Sequence, residues 1–220
     1  MGQTIKIPAK PVSIPHLNRY RGCILGGAVG DALGYPTEHQ PFERLQNLYG
    51  ENGITVMEVD REDGKAIISA DTQMTLFTIY GLLTAFSKIS TEGAFLNAVM
   101  RGAFEASYLK WLYTQTDDDR ILDVANQYGF NNHFDYDMFQ PELMNIRKPG
   151  RTNPISLLNL VKGDDERPHS KGCGVVTRAA PFGLFYPDNY CEAYRRAGEG
   201  AAQDCPRDGR SSCRYYLAFS

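Results

Sequence analysis

The sequence predicts an all-α chain built as a helical bundle. Three observations carry this. Apolar residues recur at three- and four-residue steps along three long segments, no run alternates with the two-residue period of a half-buried strand, and 220 residues suffice for one domain with a substantial core. Leu17, Tyr20, Ile24, Leu25 and Ala28 place a first helix over His16 to Leu33. Its glycines cost roughly 1 kcal/mol each against alanine, so close helix–helix approach is expected to offset them. Leu76, Ile79, Tyr80, Leu83 and Phe86 give a second helix over 72–87, expected to pack on the first. Leu96, Val99, Met100, Ala103, Phe104, Tyr108, Trp111 and Leu112 give a third, with Thr91 as its expected N-cap. Shorter helices are expected at 137–146, 155–162 and 190–202.

Composition excludes several functions. A net charge of −3 leaves no basic footprint for nucleic acid. No apolar run approaches the roughly 18 residues of a membrane span. Met1 to Pro15 is polar and proline-interrupted, without the apolar centre of a signal peptide, and reads as an extended arm. The five cysteines are odd in number and show no paired metal spacing, so they read as reduced thiols in a cytoplasmic protein. There are no internal repeats.

Residues 69–74, Ser-Ala-Asp-Thr-Gln-Met, join the apolar run Ala66-Ile67-Ile68 to the second helix. A hydroxyl and a carboxylate there are the oxygen ligands that a hard cation such as Mg²⁺ or Mn²⁺ takes. A helix cap, with Asp71 or Thr72 accepting a backbone N–H, explains the same residues. The glycines of 26–34 lie inside a helical pattern with no preceding strand, so they do not form a dinucleotide fingerprint, and no Walker sequence occurs. Ser170, Gly172 and Gly174 leave backbone N–H groups open, as in an anion nest for a diphosphate, although a plain helix-linking turn would look alike. His39, His133 and His169 have no identifiable partner. Asp117-Asp118-Asp119 reads as an acidic loop at a helix end in preference to a cation site.

Five blocks in register extend this reading. They are Arg21-Gly-Cys-Ile-Leu-Gly-Gly-Ala-Val-Gly-Asp-Ala-Leu-Gly-Tyr-Pro-Thr-Glu38, Ser69 to Thr72, Tyr108-Leu-Lys-Trp-Leu112, Arg147-Lys-Pro-Gly-Arg-Thr152 and Ser170-Lys-Gly-Cys-Gly-Val-Val-Thr-Arg-Ala-Ala-Pro181. Together they resemble the ADP-ribosylglycohydrolase family, which includes the enzyme that reactivates ADP-ribosylated dinitrogenase reductase. The resemblance runs from about Tyr20 to about Ala202 and implies a compact orthogonal helical bundle over 16–202. It implies metal-assisted hydrolysis of the bond that links ADP-ribose to a protein side chain. Two divalent ions orient the distal ribose in the family. Ser69 and Asp71 are the ligands implied here, Glu38 faces the scissile bond as acid or base, and Asp31 supports catalysis from the helix before it. Ser170, Lys171, Gly172, Cys173 and Gly174, with Gly150 of the Arg-x-Pro-Gly-x-Thr turn, hold the diphosphate and its ribose. Cys173 is a family position, not a nucleophile, and Arg178 is expected to anchor the loop in the core by ion pairing.

Two departures matter. The family's Ser/Thr-Asp-Asp-Thr has Ala70 in place of its first Asp, which removes one anionic donor and weakens the expected metal site. From Gln203 the chain no longer resembles the family. Residues 203–220 form an atypical tail, expected to be a truncated or frame-shifted end that lacks the C-terminal helices and second metal motif. A catalytically inactive ADP-ribose binder, or an immunity or regulatory protein, is therefore the alternative to an enzyme, and a remnant without independent stability is a third reading. The expected partner is an ADP-ribosylated protein or free ADP-ribose, with no nucleic acid, no membrane and a monomeric state.

Overall fold

The computed structural model describes residues 14–60, 64–92, 96–130, 135–164 and 174–201. Of these, 70% are α-helical and none is in a strand. In chain order the helices are α1 (Ile14–Gly34), a 3-10 turn (Tyr35–Thr37), α2 (Phe42–Tyr49), α3 (Ala70–Glu92), α4 (Leu96–Thr116), α5 (Asp119–Gln127), α6 (Asp135–Met138), α7 (Thr152–Val161), α8 (Gly174–Thr177), α9 (Ala180–Phe185) and α10 (Tyr190–Ala201).

The core is the α3–α4 pair. Met74, Phe77, Leu82 and Ala85 of α3 meet Met100, Phe104, Leu109 and Leu112 of α4, all buried. Gly81 lets the two helices close, because a Cβ there would lie 2.9 Å from Phe104 Cδ1 and 3.3 Å from Ser107 Cβ. Hydroxyls tie the crossing. Ser107 Oγ donates to the Phe77 carbonyl, and Thr78 Oγ1 lies 2.9 Å from Tyr108 OH. Around this pair, α5 returns along α4 and buries Ile121 and Ala125, while α9 and α10 pack behind, with Phe182 5.4 Å from Phe104 between ring centroids. Lys110, 1% exposed, donates to Asp135 Oδ1 at 2.7 Å, to Tyr80 OH at 2.7 Å and to the Phe130 carbonyl at 3.2 Å. Burial pushes the lysine pKa down and Asp135 opposes the shift.

The long helices lie where the apolar steps put them, and α1 does pack on α3, but not for the reason expected. Tyr20, Ile24, Ala28 and Ala32 turn inward, whereas Leu17, Leu25 and Val29 are exposed. A Cβ on Gly22, Gly26, Gly27, Gly30 or Gly34 would meet nothing within 4 Å, so those glycines serve no close approach among the described residues. Between α1, α3 and α9 lies an apolar cleft of about 570 Å³ that includes Ile24, Leu83 and Phe185. Thr91 is not an N-cap; it lies in the last turn of α3. The helix expected at 137–146 is only the single turn of α6. Pro141 disfavours helical backbone at the residue before it, and the chain turns there, with the Gln140 carbonyl accepting from Leu143 and Met144. Four short helices, α2, α5, α8 and α9, escaped the periodicity. Helix α2 ends at Gly50, at φ 71°, whose N–H reaches the Gln46 carbonyl, and α5 is capped by Asp118 accepting from the Arg120 N–H. Of the acidic triplet, Asp117 and Asp118 form the link between α4 and α5, and Asp119 opens α5.

Gly81→Ala tests the crossing. Helix propensity alone would make alanine better by about 1 kcal/mol. Overpacking against Phe104 should outweigh that gain and lower stability by about 1–2 kcal/mol in urea unfolding.

Candidate functional site

The N-terminus of α3 organises the site. A helix start leaves backbone donors without intrahelical partners, and here every one is met. Ser69 N donates to Asp31 Oδ2 at 2.8 Å, Ala70 N to the Arg147 carbonyl at 2.6 Å, Asp71 N to Ser69 Oγ at 3.0 Å and Thr72 N to Asp31 Oδ2 at 3.3 Å. Thr72 Oγ1 also donates to Asp31 Oδ2. The cap is therefore Ser69 together with Asp31 from α1, not Asp71 or Thr72. Asp31 belongs to the helix start as much as to the site.

Because others cap the helix, the Asp71 carboxylate is left to face the cleft. Asp31, Asp71, Thr75 and Thr177 line a cavity of about 300 Å³ between α1, α3 and α8, with Cys23 and Gly27 on its α1 side. Thr177 Oγ1 lies 3.3 Å from Asp71 Oδ1 and 3.1 Å from the Gly174 carbonyl, and Thr75 Oγ1 reaches the Thr177 carbonyl at 2.9 Å. Burial pushes the Asp71 pKa up and the Asp31 charge adds to it. The Thr177 hydrogen bond and Arg178 pull the other way, and Glu38 adds a smaller upward push. Two or three carboxylates thus share one field without enough nearby positive charge.

Glu38 is placed by the 3-10 turn after α1, where Thr37 Oγ1 donates to the Gly34 carbonyl at 2.6 Å. Its Oε2 lies 3.5 Å from Lys148 Nζ and its Oε1 3.4 Å from His39 Nε2, so His39 has a partner that the sequence did not reveal. Lys148 Nζ also donates to the Tyr35 carbonyl at 2.7 Å and sits 4.0 Å from the Tyr35 ring centre. The loop that bears Lys148 is fixed from below. Gln73 Nε2 donates to the carbonyls of Leu143 and Asn145, Gln115 Nε2 donates to Asn145, and Arg147 N donates to Gln115 Oε1 at 3.1 Å.

Of the residues singled out in the sequence, the fold gathers Asp31, Asp71 and Glu38 into one field. Ser69 adjoins Asp71 with its hydroxyl already accepting an N–H. Gly150 stands in the Lys148 loop at φ 65°, with open space around it. Gly174 begins α8, where a Cβ would lie 3.2 Å from Asn153 Nδ2. Arg178 is buried and its guanidinium lies 4.8 Å over the Tyr108 ring, so cation–π packing contributes to the anchoring expected from ion pairing. Ser170, Lys171, Gly172 and Cys173 lie outside the described residues, as do His133 and His169. Thr75, Thr177, Lys148 and the glutamine pair were missed. Thr75 alone had a sequence signal, one helical turn after Asp71 on the same face.

The donor chemistry suits one hard cation, since carboxylate and hydroxyl oxygens surround an acid whose charge is disfavoured. It does not reach a two-ion site. Among the described residues no group of three or more His, Cys, Asp or Glu is placed to hold a metal. No described helix is long and apolar enough to cross a membrane.

Comparison with known proteins now adds the family. An uncharacterized protein of Archaeoglobus fulgidus is 58% identical over 33 residues, which are 15% of this chain and 11% of that relative. The chain thus spans about a tenth of the length of the curated relative it matches. No solved structure matches the chain. The family model described as ADP-ribosylglycohydrolase matches residues 13–219, past Ala202, where the motif resemblance ends. With nearly its whole length matched, the chain belongs to the ADP-ribosylglycohydrolase family of hydrolases.

Proposed function

We propose that the protein is a metal-dependent hydrolase that releases ADP-ribose from a modified protein side chain. The observation that supports this most is the pairing of Asp31 and Asp71 in the cavity beside the α3 N-terminus, with the Glu38 charge near enough to act on Asp71. Glu38 is the acid or base for proton transfer at the anomeric centre. Asp71, with the remaining lone pair of the Ser69 hydroxyl, would hold Mg²⁺ or Mn²⁺. Such a cation polarises a water or the ribose hydroxyls when bound. Asp31 holds the first turn of α3 and so fixes where Asp71 points. Gly150 and, by the sequence resemblance alone, residues 170–174 are the candidates for binding the diphosphate.

A second reading, an ADP-ribose binder without turnover, draws on Ala70. This residue is 5% exposed and packs in the apolar core, at the position where the family motif carries a carboxylate. One assay separates the readings. With Mg²⁺ present, the enzyme releases ADP-ribose from ADP-ribosylated arginine, and Glu38→Gln lowers the rate about 100-fold. Calorimetric binding of ADP-ribose without release selects the binder. Neither release nor binding overturns both.

Two substitutions probe the charge balance. Ala70→Asp should tighten Mg²⁺ or Mn²⁺ binding in a metal titration by adding an anionic donor beside Asp71. It should also lower the melting midpoint without metal, because the new carboxylate is buried, and metal should restore part of the loss. Unchanged metal affinity would leave residues 69–71 as a cap alone. Asp71→Asn concerns pH. A carboxyl whose folded pKa is raised penalises the fold at pH above that value, and the penalty vanishes as pH falls below the unfolded value. The asparagine variant should therefore melt higher than the wild type at pH 7 in metal-free buffer, with the gap closing on acidification through the carboxylate range.

A further inference from the structure

We propose that Lys148 is a positioning residue that fixes the orientation of the Glu38 carboxylate, acting as a strut between the 143–150 loop and the 3-10 turn. The inference rests on the reading of Glu38 given above and adds a residue to it.

Lys148 has φ 50°, in the left-handed region that side chains other than glycine rarely adopt. Such a conformation persists only where the surroundings impose it. Here they do. Arg147 is pinned on both sides, its carbonyl accepting from Ala70 N at 2.6 Å and its N–H donating to Gln115 Oε1 at 3.1 Å. Gln73 and Gln115 are buried and also hold the Asn145 carbonyl, at 3.0 and 3.1 Å. A turn alone would be better served by glycine, which the same loop uses two residues later at Gly150, φ 65°. A lysine at the strained position is explained by what its side chain reaches.

That side chain makes three convergent contacts on one short segment. The ammonium donates to the Tyr35 carbonyl at 2.7 Å, lies 4.0 Å over the Tyr35 ring and stands 3.5 Å from Glu38 Oε2. An isolated surface ion pair orders little, and this one is partly exposed, at 34% and 39%. The carbonyl and ring contacts change that, because they fix the ammonium before Glu38 is counted. The carboxylate then has a stationary charge to turn on. Its other neighbour, His39, is 84% exposed and offers no comparable anchor.

Three variants test the strut. Lys148→Met keeps the stem and removes the charge, Lys148→Gly also relieves the backbone, and Lys148→Arg restores a cation. If the lysine is purely structural, Lys148→Gly behaves normally in release, with any loss confined to its melting midpoint. Positioning predicts that Met and Gly both lower kcat for release of ADP-ribose from ADP-ribosylated arginine, by about tenfold to a hundredfold, with KM within about twofold. Arg should recover most of the loss. A second readout needs no turnover: the Glu38 side-chain carboxyl ¹³C resonance should move in the Met and Gly variants and return toward the wild-type position in Arg. A resonance that stays in place in Lys148→Met overturns the proposal. If the wild type releases no ADP-ribose, the proposed hydrolysis fails, and the resonance alone still decides whether Lys148 sets Glu38.

Discussion

The Asp31 carboxylate carries the architecture of the site. One oxygen, Oδ2, accepts from Ser69 N, Thr72 N and Thr72 Oγ1, and so joins α1 to the start of α3. A charge-assisted bond to a helix N-terminus is favoured twice, by the unmet donors and by the positive end of the helix dipole. The consequence is chemical as well as structural. With Asp31 and Ser69 capping α3, Asp71 has no backbone duty, and its carboxylate is left in the cleft beside another negative charge.

A second anchor works from the opposite side of the same helix end. Gln73, 0% exposed, accepts from Trp111 and Gln115 and donates to the 143–145 carbonyls. A buried amide network is worth having only when its members are satisfied, because an unmet amide in the core costs more than a bond returns. Here it converts the 143–150 loop, which has no regular structure, into a rigid arm. Two elements that share no sequence proximity, the 3-10 turn at 35–37 and the 147–150 turn, are thereby brought into contact through Lys148.

The cost of this arrangement is visible at Asp71. Burial and the Asp31 charge both disfavour its ionised form. A carboxyl whose charge is disfavoured by burial and by a second carboxylate, and which faces a cleft, is a candidate site group. Lys110 shows the contrast. It too is buried and its pKa is pushed down, but it meets Asp135, Tyr80 and the Phe130 carbonyl directly and so serves to tie α4 to α3, to Phe130 and to the start of α6.

The sequence by itself determined the helical class, the three long helices and the family, because apolar period and motif register are local properties of the chain. Through the family resemblance it also singled out Asp31, Glu38 and Asp71 as candidates. It overread the glycines of α1, whose spacing resembles close packing but which meet nothing within 4 Å among the described residues, and it missed α2, α5, α8 and α9, which are too short for a period to show. Only the tertiary structure decided which groups cap α3. The Asp31 bonds join residues 38 and 41 positions apart, and no local pattern distinguishes a carboxylate that caps from one that is free. It alone brought Lys148 to Tyr35, 113 positions away, and Thr177 to Asp71, 106 positions away. Those partners are chosen by how helices pack, and packing is a property of the whole chain.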